Sequence, residues 1–87
     1  MAASVSTLIY PKQIRAARGL LGITQVELAS LASIGIATVK KIESSPDEMK
    51  ITVNIVLKIK RALEAKGIVF IHNSEVLGVG LRHSVGE

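Results

Sequence analysis

Residues 24–43 read TQVELASLASIGIATVKKIE, and the placement of hydroxyl, carboxylate and apolar side chains in this stretch decides the fold. Thr24 followed three positions later by Glu27 matches a capping box, in which each side chain satisfies a backbone donor that a helix start leaves orphaned. Leu28, Leu31 and Ala32 then supply an apolar stripe at helical spacing, which predicts a helix of about eight residues. Ser33, Ile34 and Gly35 interrupt the pattern. Val39 and Ile42 resume it, with Lys40 and Lys41 pointing elsewhere, so another short helix is predicted from Ile36 to Glu43. Two short helices joined by a tight turn, the second bearing adjacent lysines, are the parts needed to lay a helix in a DNA major groove.

Working outward, KQIRAARGLL places Ile14, Ala17 and Leu21 on one face of a helix opened by Pro11 and closed by Gly22, with Lys12 and Arg15 outside that face. Residues 1–9 carry no helical period and read as an arm. Downstream, SSPDEMK is a loop by composition. Thr52 can cap the fourth and longest predicted helix, Val53 to Lys66, whose apolar residues include Val53, Val56, Leu57, Ile59 and Leu63, with Gly67 at its C-terminal end. Beyond Gly67, IVFI, the turn HNSE and the glycine-alternating run Val76 to Leu81 predict a β-hairpin. An isolated hairpin is marginal in water, and IVFI is apolar on both faces; one face is expected on the helices and the other on a second copy. Ile68, Val69, Phe70, Ile71, Val79 and Leu81 are the expected dimerisation residues. The expected fold is mainly α, four helices with a short C-terminal β-hairpin: arm 1–9, DNA-binding domain 10–66, hairpin 67–83 and tail 84–87.

The 87 residues suffice for one compact domain burying about two-thirds of its surface. The chain is 48% hydrophobic with one Phe, one Tyr and no Trp, so the core is aliphatic. No cysteine is present, which excludes disulfides and thiolate metal sites; His72 and His83 have no ligand spacing and read as turn and tail residues. No metal, cofactor or small-molecule substrate is expected. The N-terminus has no secretory signature, and no apolar run reaches the roughly 18 residues that span a bilayer, so the expectation is a cytoplasmic protein at the nucleoid with no membrane partner. A formal net charge of +4 favours contact with polyanions.

TQVELASLASIGIATVKKIE resembles the helix-turn-helix of the lambda-repressor-like (Cro/repressor, XRE-type) family, whose common form reads roughly [ST]-Q-x-x-L-A-x-x-A-G-V-S-x-x-T-I-x-x-x-E. Thr24, Gln25, Leu28, Ala29, Ala32, Thr38 and Glu43 match without gaps, and Ile34 and Val39 are conservative replacements. The basic helix before the unit and NIVLKIKRALEAKG after it extend the resemblance, and RALEAKGIVFI followed by VGLR is similar to a subgroup of small regulators with a C-terminal strand pair. Ser33 stands where the family usually has Gly, in a turn whose left-handed conformation disfavours a side chain. Gly35 stands where it usually has a hydroxyl cap, and is a weaker N-cap.

The resemblance implies binding to double-stranded DNA through Gln25, Gly35, Ile36, Ala37, Thr38, Lys40 and Lys41. Gln25 would meet a phosphate, and the base-reading positions fall on Ile36, Ala37 and Lys41. Two of these are apolar and suit thymine methyls; Lys41 suits guanine acceptors. Arg18 is implied to pair with Glu43 structurally. Lys12, Arg15 and Lys50 read equally as flanking DNA contacts or solvated charge, and Ser44 and Ser45 as phosphate contacts or turn residues. Asp47 and Glu48, adjacent in a loop, read as solvating it; Gly78 and Gly80 are too short a pattern for a dinucleotide fingerprint. No nucleophile, base and orienting group can be assembled, so no enzyme is expected. The function expected is a sequence-specific transcriptional regulator, a repressor binding a palindromic operator as a homodimer. The alternative is an antitoxin-like or antiactivator protein-interaction module, favoured by the apolar hairpin and Ile36.

Overall fold

The structure, a computed structural model, describes residues 9–45 and 52–83. Its elements run α1 (Pro11–Leu21), α2 (Gln25–Ala32), α3 (Ile36–Glu43), α4 (Val53–Ala65), β1 (Ile68–His72) and β2 (Leu77–Leu81). The expected arm up to Leu8, most of the SSPDEMK loop and the tail lie outside the described residues. Ile9, assigned to the arm by its lack of helical period, is instead buried in the core.

Each helix boundary has a local cause. Pro11 occupies the first turn of α1, where its missing N–H costs nothing. Gly22 closes the helix in the left-handed region at φ 70°, donating its N–H to the Arg18 carbonyl. Thr24 Oγ1 accepts from the Glu27 N–H at 3.0 Å while Glu27 Oε1 accepts from the Thr24 N–H at 2.8 Å, completing the reciprocal cap of α2. Ser33 takes the left-handed conformation (φ 58°, ψ 46°) that ends α2. Thr52 Oγ1 accepts from the Ile55 N–H and starts α4.

The core is aliphatic: Ile9, Ile14, Ala17, Leu28, Ala29, Ala32, Val39, Ile42, Ile59, Leu63 and Ile68 are buried. Leu31 is 41% exposed and Ala29 takes the inward place, since α2 turns the Leu28, Ala29 and Ala32 edge inward. Val53 likewise faces solvent at 65% exposure, and α4 reaches the core through Ile59 and Leu63. Helix α2 packs on α3 and α4, and α1 packs on α3 and β2. Among the described residues no helix is long and apolar enough to cross a membrane.

The hairpin is antiparallel with Ile68 opposite Leu81, Phe70 opposite Val79 and His72 opposite Leu77. Asn73 Oδ1 closes its turn by accepting from the N–H groups of Glu75 and Val76. Strand alternation divides the residues expected at a partner contact. Ile68 is buried and Phe70 and Val79 pack on the chain's own core. Leu81 shares that inward side at the strand's open end and is 42% exposed. Val69 and Ile71 alternate to the outward side.

Gln13, predicted for no role, is 2% exposed. Its Nε2 donates to the carbonyls of Ile71 (3.2 Å) and Gly78 (3.0 Å), and its Oε1 accepts the Tyr10 N–H at 2.9 Å. One amide thus fastens the hairpin to the first turn of α1, beside the edge-on contact of the Tyr10 and His72 rings.

Candidate nucleic-acid interface

Eight residues of α3 split into two stripes at helical spacing. Val39, Ile42 and Glu43 are buried, and Ile36 packs against the core as a half-buried residue. Ala37, Lys40, Lys41 and Ser44 lie three and four positions apart and are exposed, as the period of 3.6 requires once Val39 and Ile42 are inside. Of the three residues expected at base edges, Ala37 and Lys41 are therefore presented outward. Ile36 is partly withdrawn, because its aliphatic chain gains more against the core than in water.

The inner stripe is held by a polar cluster at the C-terminal end of α3. Arg18 donates from Nε to Glu43 Oε2 at 2.7 Å and from Nη2 to Oε1 at 2.8 Å, a bidentate pair. Its Nη1 donates to the Ile23 carbonyl at 3.0 Å. The Glu43 side chain is 3% exposed and that of Arg18 22%. Hydrogen bonding to Glu43 raises the guanidinium pKa above its ordinary value; desolvation opposes this, and charge attraction adds to it. Arg15, left open between DNA contact and solvated charge, donates to the Glu43 backbone carbonyl, placing a cation at the negative end of the α3 dipole.

Gln25, expected at a phosphate, donates from Nε2 to Glu43 Oε1 at 3.1 Å. That bond uses one of its two amide hydrogens and ties the start of α2 to the end of α3. The signal that could have revealed this is the resemblance itself, which places Gln25 and Glu43 at opposite ends of one unit whose two helices fold back together.

Gly35 starts α3 with no side-chain cap, and Thr38 is half-buried. Ser44 and Ser45 donate their hydroxyls to the Lys41 carbonyl, so both finish the helix. Neither Lys40 nor Lys41 has an ion-pair partner among the described residues. The two cations stand on the outer surface, and the one carboxylate of α3 is turned inward and neutralised.

The search of curated proteins returns no match. A family model described as Helix-turn-helix matches residues 14–68, more than half of the chain, spanning α1 to the first residue of β1. The outward lysine-bearing helix, the ion pair beneath it and this match lead to one conclusion: the chain belongs to the lambda-repressor-like, XRE-type helix-turn-helix family of DNA-binding transcriptional regulators.

Proposed function

We propose that the chain is a repressor that binds a palindromic operator as a homodimer, each copy setting α3 into the major groove with the two helices about 34 Å apart. The observation that carries this reading is the outward stripe of α3. Ala37, Lys40 and Lys41 are exposed and the two amines have no ion-pair partner among the described residues, while the opposite stripe is fixed by core packing and by Arg18. Such a helix offers a rigid back and a cationic front.

In that pose Ala37 meets a thymine methyl and Lys41 donates to guanine O6 or N7. Lys40, the second amide hydrogen of Gln25 and the helix start at Gly35 and Thr38 meet phosphates, which position the helix without reading sequence. Ile36 gives only its exposed edge to the groove. Dimerisation follows from the outward face of the hairpin, where Val69 and Ile71 remain after the inward residues have joined the core.

Selection of bound sequences from random duplex DNA, followed by titrations over a salt series, tests the reading. Lys40→Ala is expected to lower the salt slope by about one, and Lys41→Ala to cost about 1–3 kcal/mol of affinity and relax the preference at one base pair, both leaving the melting temperature unchanged. Lys41→Ala with the parent's affinity and sequence preference would refute placement of α3 in the groove.

A further inference from the structure

The two strands of the hairpin differ on their outward side. Pairing sets Val69 opposite Gly80 and Ile71 opposite Gly78, on the side away from the core-packed Phe70 and Val79. Each outward row therefore has a branched side chain on β1 and no side chain on β2, a ridge beside a bare strip. A Cβ built on Gly78 or Gly80 meets no atom within 4 Å, so nothing in the described chain fills the strip. Neither glycine has positive φ, so backbone conformation does not require glycine there.

A twofold axis parallel to the strands stacks two such faces ridge on strip. It exchanges the lateral positions of the strands and preserves position along them, so Val69 comes over Gly80 of the second copy and Ile71 over its Gly78. Because the operation is its own inverse, both rows are filled reciprocally.

Resting on the regulator reading above, we propose that this ridge-and-strip face docks on the same face of a second copy, and that the contact forms on DNA rather than in free solution. Area decides the second point. Two five-residue strands give a face of about 17 Å by 10 Å, or about 170 Å² per copy, against about 800 Å² per partner in a standard stable complex. So small a contact holds two copies once neighbouring half-sites have raised their effective concentration. An unrelated protein arriving from free solution would lack that help.

Gly80→Val fills the strip with a strand-favouring side chain where the chain's own fold leaves room. The double variant Val69→Gly/Gly80→Val moves the ridge of that row onto β2 and, under the same axis, restores complementarity. The full chain and both variants are titrated onto duplexes carrying one or two selected half-sites, with sedimentation at high protein concentration and thermal melts alongside. The parent is expected to be monomeric at the concentrations that occupy DNA, and to fill the second half-site with a cooperative gain of about a hundredfold. Gly80→Val should melt at or above the parent temperature, bind one half-site equally and lose the gain; the double variant should regain it.

Retention of the gain by Gly80→Val, or a folded double variant that does not regain it, overturns the proposal. A Gly80→Val chain that melts lower with cooperativity intact also overturns it, since the chain's own residues would then cover the face. A parent that is a stable dimer in free solution overturns the DNA-dependent part. Should none of the three bind any duplex, the regulator reading is what fails. Sedimentation then decides the face by itself: association of the parent that Gly80→Val abolishes supports it, and association that survives overturns it.

Discussion

Replacing Arg18 by Ala strands the Glu43 carboxylate, and the structure sets the size of the effect. Glu43 loses two charge-assisted bonds of 2.7 and 2.8 Å and keeps only the 3.1 Å bond from Gln25, with its side chain 3% exposed. Breaking a buried pair from one side costs about 3–5 kcal/mol. A domain of 87 residues has about 4–13 kcal/mol in all, at roughly 0.05–0.15 kcal/mol per residue, so the loss is a large fraction of the total. At about 4–8 °C per kcal/mol for a domain of this size, the melting temperature should fall by at least about 12 °C. Glu43→Ala should be milder, about 1–2 kcal/mol, because Arg18, 22% exposed, can turn to water and keep its bond to the Ile23 carbonyl. The apolar pair Arg18→Met/Glu43→Leu should recover most of the loss. Thermal melts and urea titrations of the four chains read these differences. An Arg18→Ala loss below about 1 kcal/mol, or Glu43→Ala costing more than Arg18→Ala, refutes the reasoning.

Gln13→Glu puts a carboxylate against the carbonyls of Ile71 and Gly78; burial and those carbonyls favour its protonated form. The folded state then holds the proton more tightly than the unfolded state, so stability should rise as pH falls, and a pH-independent melt would contradict the clamp. Ser33→Gly relieves the left-handed strain at φ 58° and, after the added freedom of the unfolded chain, should stabilise by about 0.5–1 kcal/mol in urea titrations. Gly67→Ala introduces a Cβ at φ 99° and 3.3 Å from Leu81 Cδ1, and should cost about 1–2 kcal/mol; a neutral effect would mean that the junction between α4 and β1 yields freely.

The helix ends were legible in the sequence because their causes are local. Pro11, Gly22 and the Thr24–Glu27 box act within a turn of themselves, and both ends of α1 and the start of α2 fall where those residues imply. Rotation of a helix about its axis is less local. In α2 the inward edge is Leu28, Ala29 and Ala32, and the choice of Ala29 over Leu31 follows from the positions of α3 and α4, which no single helix encodes. Val53 is exposed for the same reason, and Ile9 is buried as a member of the core cluster, a tertiary fact that its local sequence does not encode. In the site, Ala37, Lys40 and Lys41 were readable from the α3 period. Gln13 and Arg15 were not, since each acts on a backbone carbonyl far along the chain, a partner that carries no residue-type signal. Ile36 is half-buried, as a residue between two stripes belongs to both.

The grip on α3 is lopsided. Arg15, Arg18 and Gln25 converge on Glu43, whereas Gly35 at the other end adds no side-chain bond. The helix resembles a cantilever, with side-chain hydrogen bonds at its tail and only the packing of Ile36 and Val39 on the core towards its nose. Over eight residues, about 12 Å, a tilt of about 5° at the clamp displaces the nose by about 1 Å. In the proposed pose, Ala37 would follow operators of differing width while Lys41, two residues from the clamp, would keep its aim; tolerance to base changes should then grow with distance from Glu43.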